Sequence, residues 1–216
     1  MGRRSRDRQR LAQAAARLMV DQGIESYGRA LGKAAGRLEI RDPSRFPDRT
    51  EIEAAIREHY RLYAPERQAS LLARLDLAAC SLMEQLTPFS PLLGGMLAAE
   101  VAGEGSVVEI YLFAESPDEV SRSLEERAID HRQGPIVRWR LRRRQLTVPT
   151  IHLSWQGAPF VIFLFPHRFK GQLSREERPY LSLKALQRRI HDRQSAGSDG
   201  GTDRPAPPCR RSSASP

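Results

Sequence analysis

The chain has 216 residues and a mass of 24.4 kDa, enough for one domain of ordinary size or two small ones with a real core. Hydrophobic residues make up 40%, mean hydropathy is −0.52, and no run of 18 apolar residues occurs, which excludes a membrane-spanning helix. Thirty-five Lys and Arg against 26 Asp and Glu give a net charge of +9, which points to an anionic partner. The Arg-rich start (Arg3, Arg4, Arg6, Arg8, Arg10) is not followed by an apolar stretch and a cleavage site, so no secretory signal is expected and the location predicted is cytoplasmic. Cys80 and Cys209 have neither metal-ligand spacing nor an evident disulfide partner, and both read as unpaired thiols.

Residues 1–86 read as a helical region. Leu11, Ala14, Ala15, Leu18 and Met19 recur at helical spacing up to Gly23, a good helix-terminating residue. A second helix is expected from about Ser26 to Leu38, with the Gly28/Gly32/Gly36 series predicting close packing against another helix. Pro43 and Pro47 make a loop. Thr50 and Glu53 fit a capping box that opens a third helix, with Ile52, Ala55, Ile56 and Tyr60 on one face and an end near Tyr63. Pro65 suits the first turn of a fourth helix whose leucines, Leu71 to Leu86, cover more than one face, as burial between a bundle and a sheet requires.

From residue 87 to 194 the pattern becomes α+β. Strand-like segments rich in Val, Ile, Phe, Trp and Thr are expected at 91–97, 107–113, 136–142, 147–155 and 159–165, with Gln156-Gly157 as a hairpin turn. Ser116-Pro117-Asp118-Glu119 is a strong helix start, with a polar cap, Pro at the first position and acids in the first turn. A last helix is predicted over Leu181–Ile190, and residues 195–216 read as a disordered tail with no apolar period.

One constellation suggests chemistry. Leu92-Leu93-Gly94-Gly95 is followed, twelve steps after Gly95, by Val107-Val108-Glu109-Ile110-Tyr111-Leu112-Phe113. This resembles the nucleotidyltransferase superfamily signature, in which a strand ends in Gly-Gly or Gly-Ser and the next strand carries two acids at alternate positions. Side chains two apart on a strand point the same way, so such acids can face one pair of magnesium ions, and glycines let the backbone approach a triphosphate. The resemblance implies a helical N-terminal region packed on a mixed nucleotidyltransferase-like sheet. Gly94 and Gly95 match the family's glycines and Glu109 its second acid. Val107 stands at the first acidic position, and the strand 159–165, in the place of the third, has no acid at all. The layout of residues 8–190 is likewise similar to that of proteobacterial proteins carrying a degenerate nucleotidyltransferase-like domain.

The run Arg138-Trp139-Arg140-Leu141-Arg142-Arg143-Arg144 places Arg138, Arg140, Arg142 and Arg144 on one strand face and Trp139 and Leu141 on the other. Such a guanidinium row can grip phosphate bidentately, and it can equally protect an edge strand by charge. The sequence therefore predicts a non-catalytic protein that binds a nucleotide or other phosphate-bearing ligand through Gly94, Gly95, Arg138, Arg140 and Arg142, with Glu109 as a residual catalytic carboxylate and no cofactor. A protein partner in the old cleft is the other occupant considered. Active metal-dependent nucleotidyl transfer, using Mg²⁺, is the second reading, and nucleic-acid binding through the basic N-terminus and the Arg-rich strand the third. No membrane partner is expected. His59, His131, His152, His167 and His191 form no short-spaced metal pair, and no phosphate-binding P-loop motif exists.

Overall fold

The structure is a computed structural model, and it describes residues 3–141, 144–173 and 179–198. The first helix, α1 (Arg3–Gln22), stops where Gly23 takes a left-handed φ of 62°. α2 (Tyr27–Arg37) starts from Ser26, whose hydroxyl accepts from the Arg29 amide at 3.4 Å. α3 (Arg49–Tyr63) opens with a capping box, but two residues earlier than predicted. The Glu51 amide donates to Asp48, and the Asp48 amide donates to Glu51, each at 2.8 Å. Glu53 is instead buried, accepting from the Tyr27 hydroxyl at 3.0 Å and from Arg49 at 2.7 Å, and this knot pins α2 to α3.

These three helices close a first core around Leu11, Leu18, Met19, Ala34, Ile52 and Ile56. The glycine series of α2 does not enter it. A Cβ at Gly28, Gly32 or Gly36 would meet nothing within 4 Å, because the buried stripe of the helix is Ala30, Ala34 and Ala35. The predicted close packing through glycine is therefore absent.

α4 (Pro65–Gln85) belongs to the second core. It leads into β1 (Leu92–Gly94), α5 (Gly95–Ala98), β2 (Val108–Phe113), α6 (Pro117–Glu126) and β3 (His131–Gln133). Then come β4 (Val137–Leu141), β5 (Arg144–Val148), β6 (Thr150–Trp155), β7 (Ala158–Phe165), β8 (Leu181–Ser182) and α7 (Leu183–Ser198). The fold is α+β with a mixed six-stranded sheet in the order β3-β6-β7-β2-β1-β8, in which β2 and β7 run parallel and the other pairs antiparallel. β4 and β5 form a separate hairpin. Among the described residues no helix is long and apolar enough to cross a membrane.

Alternation along the strands gives the sheet two different faces. Ile110, Leu112, Phe160, Ile162 and Ile151 pack in one core with Leu75 and Leu82 of α4, Val120 and Leu124 of α6 and Leu186 of α7. The opposite face carries Glu109, Tyr111, Phe113, Phe163 and Phe165, and an aromatic core forms over it with Trp139 and Leu141 of the hairpin.

Several boundaries differ from the sequence reading for local reasons. The strand expected over 91–97 ends at Gly94, since Gly95 takes φ 64° and starts α5. The segments expected at 136–142 and 147–155 are three strands, not two. The chain reverses between Leu141 and Arg144, which face each other in register, and Pro149, lacking an amide proton, separates β5 from β6. Leu181 and Ser182 pair with β1 before the last helix begins. That helix runs to Ser198, so it includes the first residues of the predicted tail, while residues 199–216, with Cys209, lie outside the described residues.

The fully buried carboxylate of Asp76 on α4 accepts from Arg189 and Arg193 of α7, and Arg193 also reaches Glu100. Removing the acid leaves the largely buried Arg189 guanidinium without its ion pair, while Arg193 keeps Glu100. Asp76→Ala is expected to cost about 3–5 kcal/mol of stability, read as a fall in the urea midpoint. Burial also pushes the Cys80 thiol up to about 11, with the Glu84 carboxylate nearby adding to the shift. In a Cys209→Ser background, iodoacetamide at pH 8 should leave Cys80 unmodified in the native protein and alkylate it in denaturant, as mass spectrometry would record.

Candidate functional site

The sheet brings the predicted glycines and Glu109 together. Gly94 stands opposite Glu109 across β1 and β2, and a Cβ at Gly95 would lie 2.7 Å from the Glu109 carboxyl carbon. At Gly94 a Cβ would run into the Tyr111 ring. The close approach is thus real, but the space above the glycines is already taken by side chains of β2. Glu109 itself is partly exposed and accepts from the Tyr111 hydroxyl at 2.9 Å.

A pair of metal ions needs several carboxylates on this face. Glu109 has Val161 beside it on β7, with Tyr111 two residues on along its own strand and Val107 two residues back, just before that strand begins. One carboxylate already holding a phenol does not fit a two-magnesium cage. Among the described residues no group of three His, Cys, Asp or Glu is placed to hold a metal.

The hairpin decides where the arginines go. Trp139 meets Tyr111, Phe163 and Phe165 at ring-centroid distances of 5.3, 5.2 and 5.2 Å, so its side of β4 faces the sheet. Arg138 and Arg140 consequently project from the outer side, exposed, opposite Thr147 and Gln145. Arg144 does not share their side. The reversal puts it in register with Leu141, on the Trp139 parity, which corrects the predicted four-arginine row. Arg142 lies outside the described residues. The hairpin therefore stands between the two arginines and the Gly94-Gly95 turn, and the structure does not bring them into one site.

A cavity of about 480 Å³ opens elsewhere, at the seam between the two cores. Its floor includes Met19 of α1, Ile56 of α3, Leu71 of α4, and Met96 and Val101 after the Gly-Gly turn. His59, Tyr60 and Tyr63, from the last turn of α3, line it as well, and the loop 103–106 closes one side. That loop is fastened at several points. Arg67 pairs with Glu104 at 2.6 Å, Gln68 donates to the Ala102 carbonyl at 2.8 Å, and the Val107 amide donates to Glu25 at 3.1 Å. Burial, with the Glu104 and Asp21 carboxylates nearby, raises the Tyr60 hydroxyl above its ordinary pKa.

Sequence reasoning placed Tyr60 on the apolar face of α3 and assigned His59 no role. The available signal was the pair of tyrosines flanking the helix end at Tyr60 and Tyr63 ahead of Pro65. No protein-family model, curated protein or solved structure matches this chain.

Gly95 tests the geometry of the turn. Gly95→Ala should cost about 1–2 kcal/mol from the left-handed backbone alone, with a further steric share from the Glu109 side chain. Adding the same substitution to a Glu109→Ala protein should cost measurably less, because the steric share is gone, and a double-mutant cycle by chemical denaturation reads the difference.

Proposed function

We propose that this protein acts by binding, as a nucleotidyltransferase-like frame that has given up metal-dependent transfer and takes a phosphate-bearing ligand on the outer face of its β4–β5 hairpin. The observation that carries this reading is the hairpin itself. It lays Trp139 and Leu141 over the sheet face that bears Glu109 and Tyr111, and turns Arg138 and Arg140 to solvent. A face roofed by aromatic side chains cannot admit a triphosphate and two metals, whereas two outward guanidinium groups can meet phosphate oxygens in a planar, bidentate manner. Neither arginine has an ion-pair partner among the described residues, and Thr147 and Gln145 across the hairpin add hydrogen-bonding groups. The net charge of +9 favours the encounter with an anion.

The resemblance to nucleotidyltransferases is supported by connectivity as well as by residues. β1 ends at Gly94 with Gly95 opening α5, β2 returns antiparallel with Glu109, and β7 lies parallel to β2 on its other side. Metal-dependent transfer would need the carboxylates that Val107 and Val161 do not supply.

Thermal melts with nucleoside triphosphates and inorganic triphosphate, each with and without Mg²⁺, test the reading. A ligand at 100 times its dissociation constant stabilises by about 2.7 kcal/mol, or roughly 5–10 °C for a protein of this size. The expected result is a shift that does not require Mg²⁺ and disappears in Arg138→Ala/Arg140→Ala. A shift that requires Mg²⁺ and is lost in Glu109→Ala would restore the enzyme reading. No shift with any of these ligands, together with salt-sensitive binding of an oligonucleotide, would move the function to nucleic acid.

A further inference from the structure

We propose that the cavity between the α1–α3 bundle and the sheet domain is a binding site for a neutral, largely apolar small molecule that hydrogen-bonds to Tyr60. This is independent of the phosphate reading, which concerns the outer face of the hairpin.

Size is the first argument. A volume of about 480 Å³ is in the range of sites that enclose small organic ligands, and such sites gather where separate cores meet. Chemistry is the second. The floor is made by Met19, Ile24, Ile56, Leu71, Met96 and Val101, from four separate stretches of chain, so it offers an apolar ligand contact on several sides. Two methionines in such a lining adapt to irregular shapes.

Charge is the third argument. Glu104 and Arg67 pair with each other, while Glu25 accepts from the Val107 amide and keeps its charge. His59 has the Asp21 carboxylate 3.8 Å away. Among the described lining residues no cation is left unpaired to hold an anionic ligand, and the one carboxylate without a cation, Glu25, is exposed to solvent, so the apolar interior suits a neutral ligand. An anionic ligand would give up hydration without gaining a partner.

Tyr60 supplies the polar contact. Its hydroxyl makes no hydrogen bond to another described residue, although the side chain is half-buried. It lies against Gly103, where a Cβ would come within 2.7 Å of the hydroxyl oxygen, so glycine keeps that position open for it. At the mouth, the His59 ring approaches that of Tyr63 to 4.8 Å between centroids, and Tyr63 is 70% exposed. A phenol exposed to that extent beside an apolar cavity provides an aromatic edge for a flat ligand.

The probe for this site is N-phenyl-1-naphthylamine, a neutral arylamine whose fluorescence rises in apolar surroundings and whose N–H can donate to the Tyr60 oxygen. Titration of the full chain should give a saturable one-to-one enhancement. Ile24→Trp and Val20→Trp, each filling the cavity from a partly exposed position, should weaken binding by at least about tenfold while keeping the circular dichroism spectrum and melting behaviour of a folded protein. Tyr60→Phe should weaken it about fivefold, the factor that corresponds to one ordinary hydrogen bond. Arg138→Ala/Arg140→Ala should leave the titration unchanged, which separates this site from the phosphate face. Enhancement that never saturates, or that persists undiminished in whichever filled variant is folded, overturns the proposal. Unchanged affinity in Tyr60→Phe overturns the assignment of the hydrogen bond.

Discussion

The Asp76 carboxylate holds the sheet domain in register with its last helix. It stands on α4 with no exposed surface, and its two oxygens are taken by Arg189 and Arg193 from successive turns of α7. Arg189 goes further, donating to the Leu97 carbonyl at 3.2 Å at the end of α5, the helix that follows the Gly94-Gly95 turn. One acid thereby fixes the C-terminal helix, the central helix and the backbone next to the motif. Burial pushes the carboxyl above its usual range against the pull of the two arginines, and Arg189 Nε is buried without a partner. The cluster's net stabilisation is accordingly smaller than the attraction among its charges suggests. Its main effect is positional, since a shift of α7 by one turn would leave the acid with one of its two arginines.

What was legible in the sequence was whatever is decided locally. Gly23 ends α1, Ser26 and Ser116 cap their helices, and Gln156-Gly157 turns β6 into β7, because each depends on a few consecutive residues. The capping box moved by two residues for a tertiary reason. Glu53 is drawn into the interior by Tyr27 and Arg49, leaving Asp48 and Glu51 to satisfy the helix start. The hairpin was missed because its reversal falls in an arginine run with no Gly, Asn or Pro, where turn chemistry gives no warning.

The candidate site shows a sharper limit. Strand parity correctly put Arg138 and Arg140 on one side and Trp139 and Leu141 on the other. Which side would meet the sheet depends on residues far away in sequence. Tyr111, Phe163 and Phe165 present a wide aromatic surface, and leaving it in water would cost more than covering it. The indole and leucine of β4, together with Val148 of β5, cover it, so Arg138 and Arg140 go outward. Read by itself, the Gly-Gly and acidic-strand motif implies an open cleft, but the residues alternating with its glutamate are apolar enough to require a roof.

The seam cavity follows from the way two separate cores are joined. The α1–α3 bundle closes on its own leucines and alanines, and the sheet closes on α4, α6 and α7. Met96 packs against both clusters, while Ala99 and Val101 just after it enter the bundle core. Each unit satisfies its own packing first, and the short connector between Gly95 and Val108 must then span the gap between them. That connector is fastened by polar contacts to Arg67, Gln68 and Glu25 and contributes few large side chains: Gly103, Gly105 and Ser106 lie where bulk would otherwise fill the space. The cavity persists because the contacts that hold the loop are directional and satisfied, so the loop gains nothing by collapsing inward. The stretch of chain that leads from the glycine turn to Glu109 is thus also the wall of the space beside Tyr60.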